Sequence, residues 1–292
     1  MALQSSGAIS LNDIHIEAGG SSGTNCTIND SDIRALISKG SGVQMSFSEW
    51  YGATAEVTYT LSNGNTGVSV ANAFSGTYYS NVAKRLIIPS GAEIGGTSSQ
   101  YAIIVASGMG GTLTIQNNGI ISGAGGAGST SVNSTGGNGG GAIYIGSNNV
   151  TVTNTGTIRG GGGGGGKGAN GSAGTTTPFG SAGTCYGGSA GSGGNGGNGQ
   201  GYNQSQSNGS GGTGGGSRYA NPSVLYNMCD AQGLFSDGSG GSSGGNGGSY
   251  GNAGTAGGGG GSQPGSAGPA IFEASGISYS LASNSGTILG TH

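Results

Sequence analysis

Few residues in this chain are of types that do chemistry, and their spacing argues against catalysis. The 292 residues hold two histidines, seven Lys and Arg, and ten Asp and Glu. A histidine base needs a nucleophile and an orienting group within hydrogen-bond reach. His15 lies in the N-terminal segment and His292 is the last residue. Asp230 and Asp237 flank Phe235 and could act as paired carboxylates, but solvation in a loop or a polar contact with Arg218 is by far the better reading. Lys167 is followed by Gly168 rather than Ser or Thr, so the glycine-rich stretch before it fails as a phosphate loop. Cys26, Cys185 and Cys229 are odd in number and lack metal-ligand spacing. Cys185 and Cys229 share the glycine-rich part and a bridge between them is conceivable, yet free thiols are expected of a chain made in a reducing cytoplasm. The residues predict no enzyme, no metal and no cofactor.

The chemistry that remains is recognition. Between glycine runs lie islands of larger residues, 175–186, 202–208, 217–237 and 249–250. They contain Phe179, Tyr186, Tyr202, Arg218, Tyr219, Tyr226, Phe235 and Tyr250. Aromatic side chains offer large contact area with few rotors, and tyrosine adds a polar tip. These eight are the candidate binding residues.

Something rigid must hold the islands. Of the 292 residues, 75 are glycine and only 6% are charged. Net charge is −3, which excludes strongly charged disorder and leaves no basic footprint for nucleic acid. With 5 prolines and no strict Gly-X-Y period, collagen is excluded. Membrane insertion is not expected, because no apolar window is long enough, and Met1-Ala2-Leu3-Gln4 does not open a signal peptide. From Gly160 to Gly268 there are 44 glycines in 109 residues. A flexible linker is the simplest reading of such composition. Against it, the runs are interrupted by Asn, Ala and Ser rather than by charges. Polyglycine-II helices, with three residues per turn, could pack side by side and exchange backbone hydrogen bonds.

The block is also tied down at both ends by a repeat: Asn117-Asn118-Gly119-Ile120-Ile121, Asn154-Thr155-Gly156-Thr157-Ile158 and Asn284-Ser285-Gly286-Thr287-Ile288. Each reads as strand, Asn-X-Gly turn and short strand, with the fifth-position Ile pointing into a narrow core. Stacked copies would be rungs of a β-solenoid, and the glycine stretches excursions between rungs. Residues 54–122 alternate as strands, at 56–61, 68–70, 85–88 and 101–105, with no helical period. Residues 1–53 form a compact module. Asn29 to Asp32 start a helix predicted over 30–39, and Phe47, Trp50 and Tyr51 follow as an aromatic plug.

The segment Leu113 to Gly123, and Asn154 to Gly166 with its glycine run, resemble the receptor-binding adhesins at the tips of T-even-type phage long tail fibres. The resemblance covers roughly residues 110–292. It implies a sandwich of polyglycine-II helices whose distal loops contact a host outer-membrane protein or other surface molecule. It also implies a place at the distal tail fibre of the virion, after synthesis in the host cytoplasm. Residues 1–53 depart from that family. Ser10 to Ile14 and Phe47 to Gly52 are instead similar to short modules of other phage tail and fibre proteins. They are expected to attach the chain to a tail-fibre shaft protein through Phe47, Trp50 and Tyr51.

The expectation is thus a mainly β and irregular chain: an attachment module at 1–53, a β-rich spacer at 54–122, and a polyglycine-II receptor-binding bundle at 123–292. A structural cap or connector without receptor binding is the alternative. An ice-binding protein fits the islands and the N-terminal module less well, and an enzymatic depolymerase is the remaining, weakest option.

Overall fold

A computed structural model describes residues 3–37, 39–53, 55–98, 100–221 and 223–292. The N-terminal module has two short helices, α1 (Leu11–Glu17) and α2 (Ser31–Ala35), and a 3-10 turn over Phe47–Trp50. Two of the three starts are reciprocal capping boxes, Ser10 with Asp13 and Ser46 with Glu49. Leu3, Ile14, Ile33 and Trp50 form the core. The predicted helix is shorter than 30–39. Arg34 folds the chain back after it: the buried guanidinium donates to the carbonyls of Gly40 and Val43, which helical continuation would carry away. The other helix, α1, replaces the single-helix expectation.

The chain then winds as a three-faced solenoid. The first coil gives β1 (Glu56–Thr60) and β2 (Val68–Ser69). Helix α3 (Val70–Phe74) and a 3-10 turn to Tyr79 follow where only strands were expected. Val70, Phe74 and Tyr78 are buried there against the end of the solenoid core, which bare strands would leave open. The second coil is β3 (Ala83–Ile88), β4 (Glu93–Gly95) and β5 (Ile103–Val105). The third is β6 (Thr112–Asn117), β7 (Ile120–Ser122) and β8 (Ile143–Ile145). The fourth begins with β9 (Val150–Asn154) and β10 (Thr157–Arg159). A long detour then carries β11 (Thr177–Pro178), β12 (Thr184–Tyr186), β13 (Tyr219–Asn221) and α4 (Tyr226–Ala231). The coil closes with β14 (Ile271–Glu273), and β15 (Tyr279–Asn284) and β16 (Thr287–Leu289) make the last.

The three sheets run in the orders β1-β3-β6-β9-β15, β4-β7-β10-β16 and β2-β5-β8-β14, with every pair parallel. Strands therefore come from both the 54–122 and 123–292 segments. The repeat stacks in register. Ile121 pairs with Ile158, and Ile158 with Ile288, while Ile94 extends the column without a repeat signature. The repeat asparagines do more than turn the chain. Asn117 Nδ2 donates to Asn154 Oδ1 (2.8 Å), and Asn154 Nδ2 to Asn284 Oδ1 (2.9 Å). Asn117 and Asn154 are fully buried, so the ladder satisfies amides that would be costly if unpaired.

Both glycine detours leave the second face and return on the third, 123–142 after β7 and 160–270 after β10. Segment 160–174 runs outward and 187–201 returns antiparallel beside it. Gly162, Gly165, Gly168, Gly171 and Gly174 donate to the carbonyls of Gln200, Gly197, Gly194, Gly191 and Gly188. The partners advance by three residues, neither the step of a helix nor that of a strand. Burial follows the same step: residues 188, 191, 194 and 197 are buried while 189, 192, 195 and 198 are exposed.

Run 160–166 sits at the centre and has all seven glycines buried. Its backbone bonds to six neighbouring segments, through Gly126, Gly137, Gly197, Gly245, Thr255 and Gly265. A Cβ on Gly161, Gly164 or Gly166 would lie 1.8–1.9 Å from the carbonyl oxygen of Ala124, Ala127 or Ser262. Seven consecutive glycines are required because no side of this run faces anything except another backbone.

Candidate recognition surface

Four runs extend furthest from the solenoid, and their ends at Gly174, Gly187, Gly216 and Gly238 converge through hydrogen bonds. Gly174 N donates to Gly188 O, Gly188 N to Ser236 O and Gly238 N to Gly216 O. The chain between these ends, 175–186 and 217–237, builds a cap with its own small core. Strands β11, β12 and β13 pair antiparallel, and Cys185, Ala220, Leu225, Cys229 and Phe235 are buried with Phe179 and Leu234 packed against them.

Cys185 and Cys229 are bridged, fastening α4 to β12. This corrects the expectation of free thiols. So few apolar residues cannot hold a cap unaided, and the cross-link supplements them as in other small domains. Cys26 is the free cysteine, half-buried in the N-terminal module.

The cap brings six of the eight candidate residues together. Tyr186 and Tyr219 stack with ring centroids 4.8 Å apart and planes 11° from parallel. Tyr226 meets Phe235 edge-on at 5.1 Å. Arg218 ties the pieces: its guanidinium lies 5.2 Å from the Phe235 ring centroid, pairs with Asp230 at 2.8 Å and reaches the Tyr226 hydroxyl at 3.4 Å. Its backbone N–H donates to Asp237 Oδ1. The Tyr226 hydrogen bond, followed by the charges of Asp230 and Asp237, favours the charged guanidinium and moves its pKa up. Asp230 and Asp237 thus both serve Arg218, one at its side chain and one at its backbone. Phe179 and Phe235 face inward, whereas Tyr219 (55% exposed), Tyr226 (38%) and Met228 (48%) stand in solvent. Met228 escaped the sequence reading because nothing in its spacing marks it.

Tyr202 and Tyr250 lie at the opposite end of the runs. Tyr202 N–H donates to Gly123 O, and its ring occupies the space that a Cβ on Gly95 would fill. Tyr250 packs beneath Arg159 of β10, 3.8 Å from guanidinium carbon to ring centroid. Burial raises the Tyr250 phenol pKa, and the Arg159 charge opposes the shift. Both tyrosines join the glycine runs to the solenoid.

The N-terminal aromatics also divide. Trp50 is fully buried, with Nε1 donating to Ile33 O at 3.1 Å, while Phe47 and Tyr51 are exposed. Among the described residues no cluster of His, Cys, Asp and Glu is placed to hold a metal ion, and no helix is long and apolar enough to cross a membrane.

The sequence profile of the phage tail fibre adhesin Gp38 matches residues 54–292. No curated protein sequence matches the chain. Among solved structures, the gp37–gp38 adhesin tip complex of the bacteriophage S16 long tail fibre is similar, at 20% identity over 99% of each chain and a TM-score of 0.49. The profile takes in the solenoid, the glycine runs and the cap, and leaves out only the N-terminal module. The chain belongs to the phage tail fibre adhesin Gp38 family.

Proposed function

We propose that this adhesin is the receptor-binding tip of a virion tail fibre and that the bridged cap makes the contact. Tyr219, Tyr226 and Met228 supply the exposed surface, Tyr186 and Arg218 fix its shape, and Phe179 and Phe235 support it from beneath. The receptor is a host outer-membrane protein or surface glycan. The glycine runs are a polyglycine-II bundle. At about 3.1 Å per residue, the run from 160 to 174 places the cap on the order of 40 Å from the solenoid. Residues 1–53 dock the chain to a fibre shaft protein through Phe47 and Tyr51, with Trp50 holding their frame. Binding is reversible and needs no cofactor.

The observation that carries this reading is the position of the exposed aromatic residues, on a cross-linked cap at the end of the four runs that extend furthest. Rigid aromatics lose little entropy on binding and so suit a recognition surface. The test is adsorption competition. Purified protein is expected to bind host cells and block phage adsorption, and Tyr219→Ala with Tyr226→Ala to abolish both while leaving the thermal unfolding midpoint nearly unchanged. If the double variant competes as well as the parent, the cap is not the contact surface and a connector role gains ground.

A further inference from the structure

A second aromatic group lies on the side of the molecule, far from the cap. In the third face the register places Ile104, Tyr144 and Phe272 in one column, beside the buried column Ile103, Ile143 and Ile271. Tyr101 joins them from the segment before β5. The rings form a triangle: Tyr101 to Tyr144 at 5.5 Å, Tyr144 to Phe272 at 6.0 Å and Tyr101 to Phe272 at 6.2 Å. Tyr144 and Phe272 are 19° from parallel, and Phe272 is 45% exposed. Tyr101 also lies against the Gly141 backbone, where a Cβ would come within 2.0 Å of its ring. That contact fixes the ring at the mouth of a groove.

The groove runs where the third face meets the outer glycine run, and its volume is about 220 Å³. Thr97, Ser98 and Gln100 form one wall, Tyr101 another, and Gly140 and Pro269 the floor. None of the described residues lining it is charged. Three properties define what fits. The volume falls below the roughly 300 Å³ at which clefts for drug-sized ligands begin. An aromatic wall receives an apolar ring face, while the hydroxyl residues Thr97 and Ser98 supply hydrogen-bonding groups at its rim. Without a cation, the groove offers nothing to pair with a phosphate or carboxylate. A protein partner would need several hundred Å² of matched surface, which one narrow groove does not supply.

We infer that this lateral groove binds one neutral hexopyranose unit of a cell-surface polysaccharide, with a C–H face of the sugar on Tyr101 and its hydroxyls on Ser98. The site is separate from the cap and does not depend on what the cap binds. A weak lateral hold on a repeating glycan would keep the fibre at the cell surface while the cap searches for its receptor.

Saturation-transfer NMR on the full chain tests this, with methyl galactoside, methyl glucoside and N-acetylglucosamine at millimolar concentration. At least one is expected to receive saturation at its C–H protons. Ser98→Trp, which fills the groove from an exposed position, and Phe272→Ala, which removes part of the aromatic support, are each expected to reduce the transfer several-fold. Tyr219→Ala at the cap is expected to leave it unchanged. Absence of transfer to all three sugars overturns the inference. So does transfer that survives Ser98→Trp, and transfer that Tyr219→Ala abolishes would place the sugar at the cap instead.

Discussion

The solenoid and the glycine detours solve the same problem, an interior without unpaired polar groups, by opposite means. In β9 the burial alternates with period two, and the buried Val150, Val152 and Asn154 fill the inside with side chains. In segment 187–201 burial recurs with period three, and the interior consists of backbone alone. The solenoid excludes water mostly with apolar volume; the detours exclude it by placing inward N–H groups on carbonyls of neighbouring runs, while many outward ones go to Ser, Thr or Asn side-chain oxygens. The two regions should therefore fail differently. A side-chain core tolerates a lost methyl group better than a backbone core tolerates a gained one, because cavities relax in part whereas a Cβ against a carbonyl oxygen cannot.

The strongest test of the contrast is Gly164→Ala. The new Cβ meets Ala127 O at 1.9 Å, in a run with neighbours on every side. We expect destabilisation at the upper end of overpacking costs, about 3 kcal/mol or more. The measurement is amide exchange, with protection lost across 123–141 and 160–268 while β3, β6 and β9 remain protected. Uniform loss through the solenoid would mean that the two regions unfold as one unit.

The cap provides the next test, because it relies on a cross-link where the solenoid relies on volume. Cys229→Ser opens a loop with a sequence separation of 44. The cost expected for losing such a bridge is about 2–4 kcal/mol, confined to residues 175–237. Limited proteolysis should cut the cap of the variant and spare the runs beneath it.

Within the solenoid, the asparagine ladder is a place where the interior borrows the polar logic of the detours, as the buried Lys84 ammonium does on the carbonyls of Ser80, Val82 and Gly110. Asn154→Leu removes the acceptor of Asn117 and the donor to Asn284 inside a buried column. A loss of about 1–3 kcal/mol is expected from the unsatisfied amides, read as a lowered midpoint in urea. An unchanged midpoint would show that Asn117 finds its other contacts, Gly119 N and Thr157 O, sufficient.

How much of this was legible in the sequence follows from the two periods. Period two is printed in Val150-Thr151-Val152 and in the recurring Asn-X-Gly-X-Ile, so the rungs and their stacking could be read. The asparagines themselves were read only as turn residues. Their ladder appears only when copies separated by 37 and 130 residues are brought side by side. The aromatic group on the third face was illegible for the same reason, since 111 residues beginning with Gly160 lie between β10 and β14. The islands were visible as interruptions, but not which end of the run each one occupies. Tyr202 and Tyr250 look the same as Tyr219 in sequence, yet one pair anchors the runs and the other tyrosine faces solvent. Direction depends on counting outward and return runs, and composition carries no direction. That Trp50 is buried while Phe47 and Tyr51 are exposed was not legible either, because the three lie together in sequence and only packing shows that the largest side chain fills the core of a 53-residue segment.

The smallest expected effect is the most discriminating one. Gly214→Ala makes the same chemical change as Gly164→Ala, also inside a glycine run. Gly214 is exposed, and nothing lies within 4 Å of the position its Cβ would take. Its φ is not in the left-handed region, so alanine fits the backbone without strain. Replacing glycine at a compatible site narrows the unfolded ensemble and stabilises by about 0.4–1 kcal/mol. We therefore expect the midpoint to rise slightly, opposite in sign to Gly164→Ala. If both substitutions destabilise alike, glycine is needed in these runs for its conformation rather than for close approach. If they differ in sign, each glycine is fixed by what stands beside it, and the exposed positions of the outer runs are free to carry other side chains.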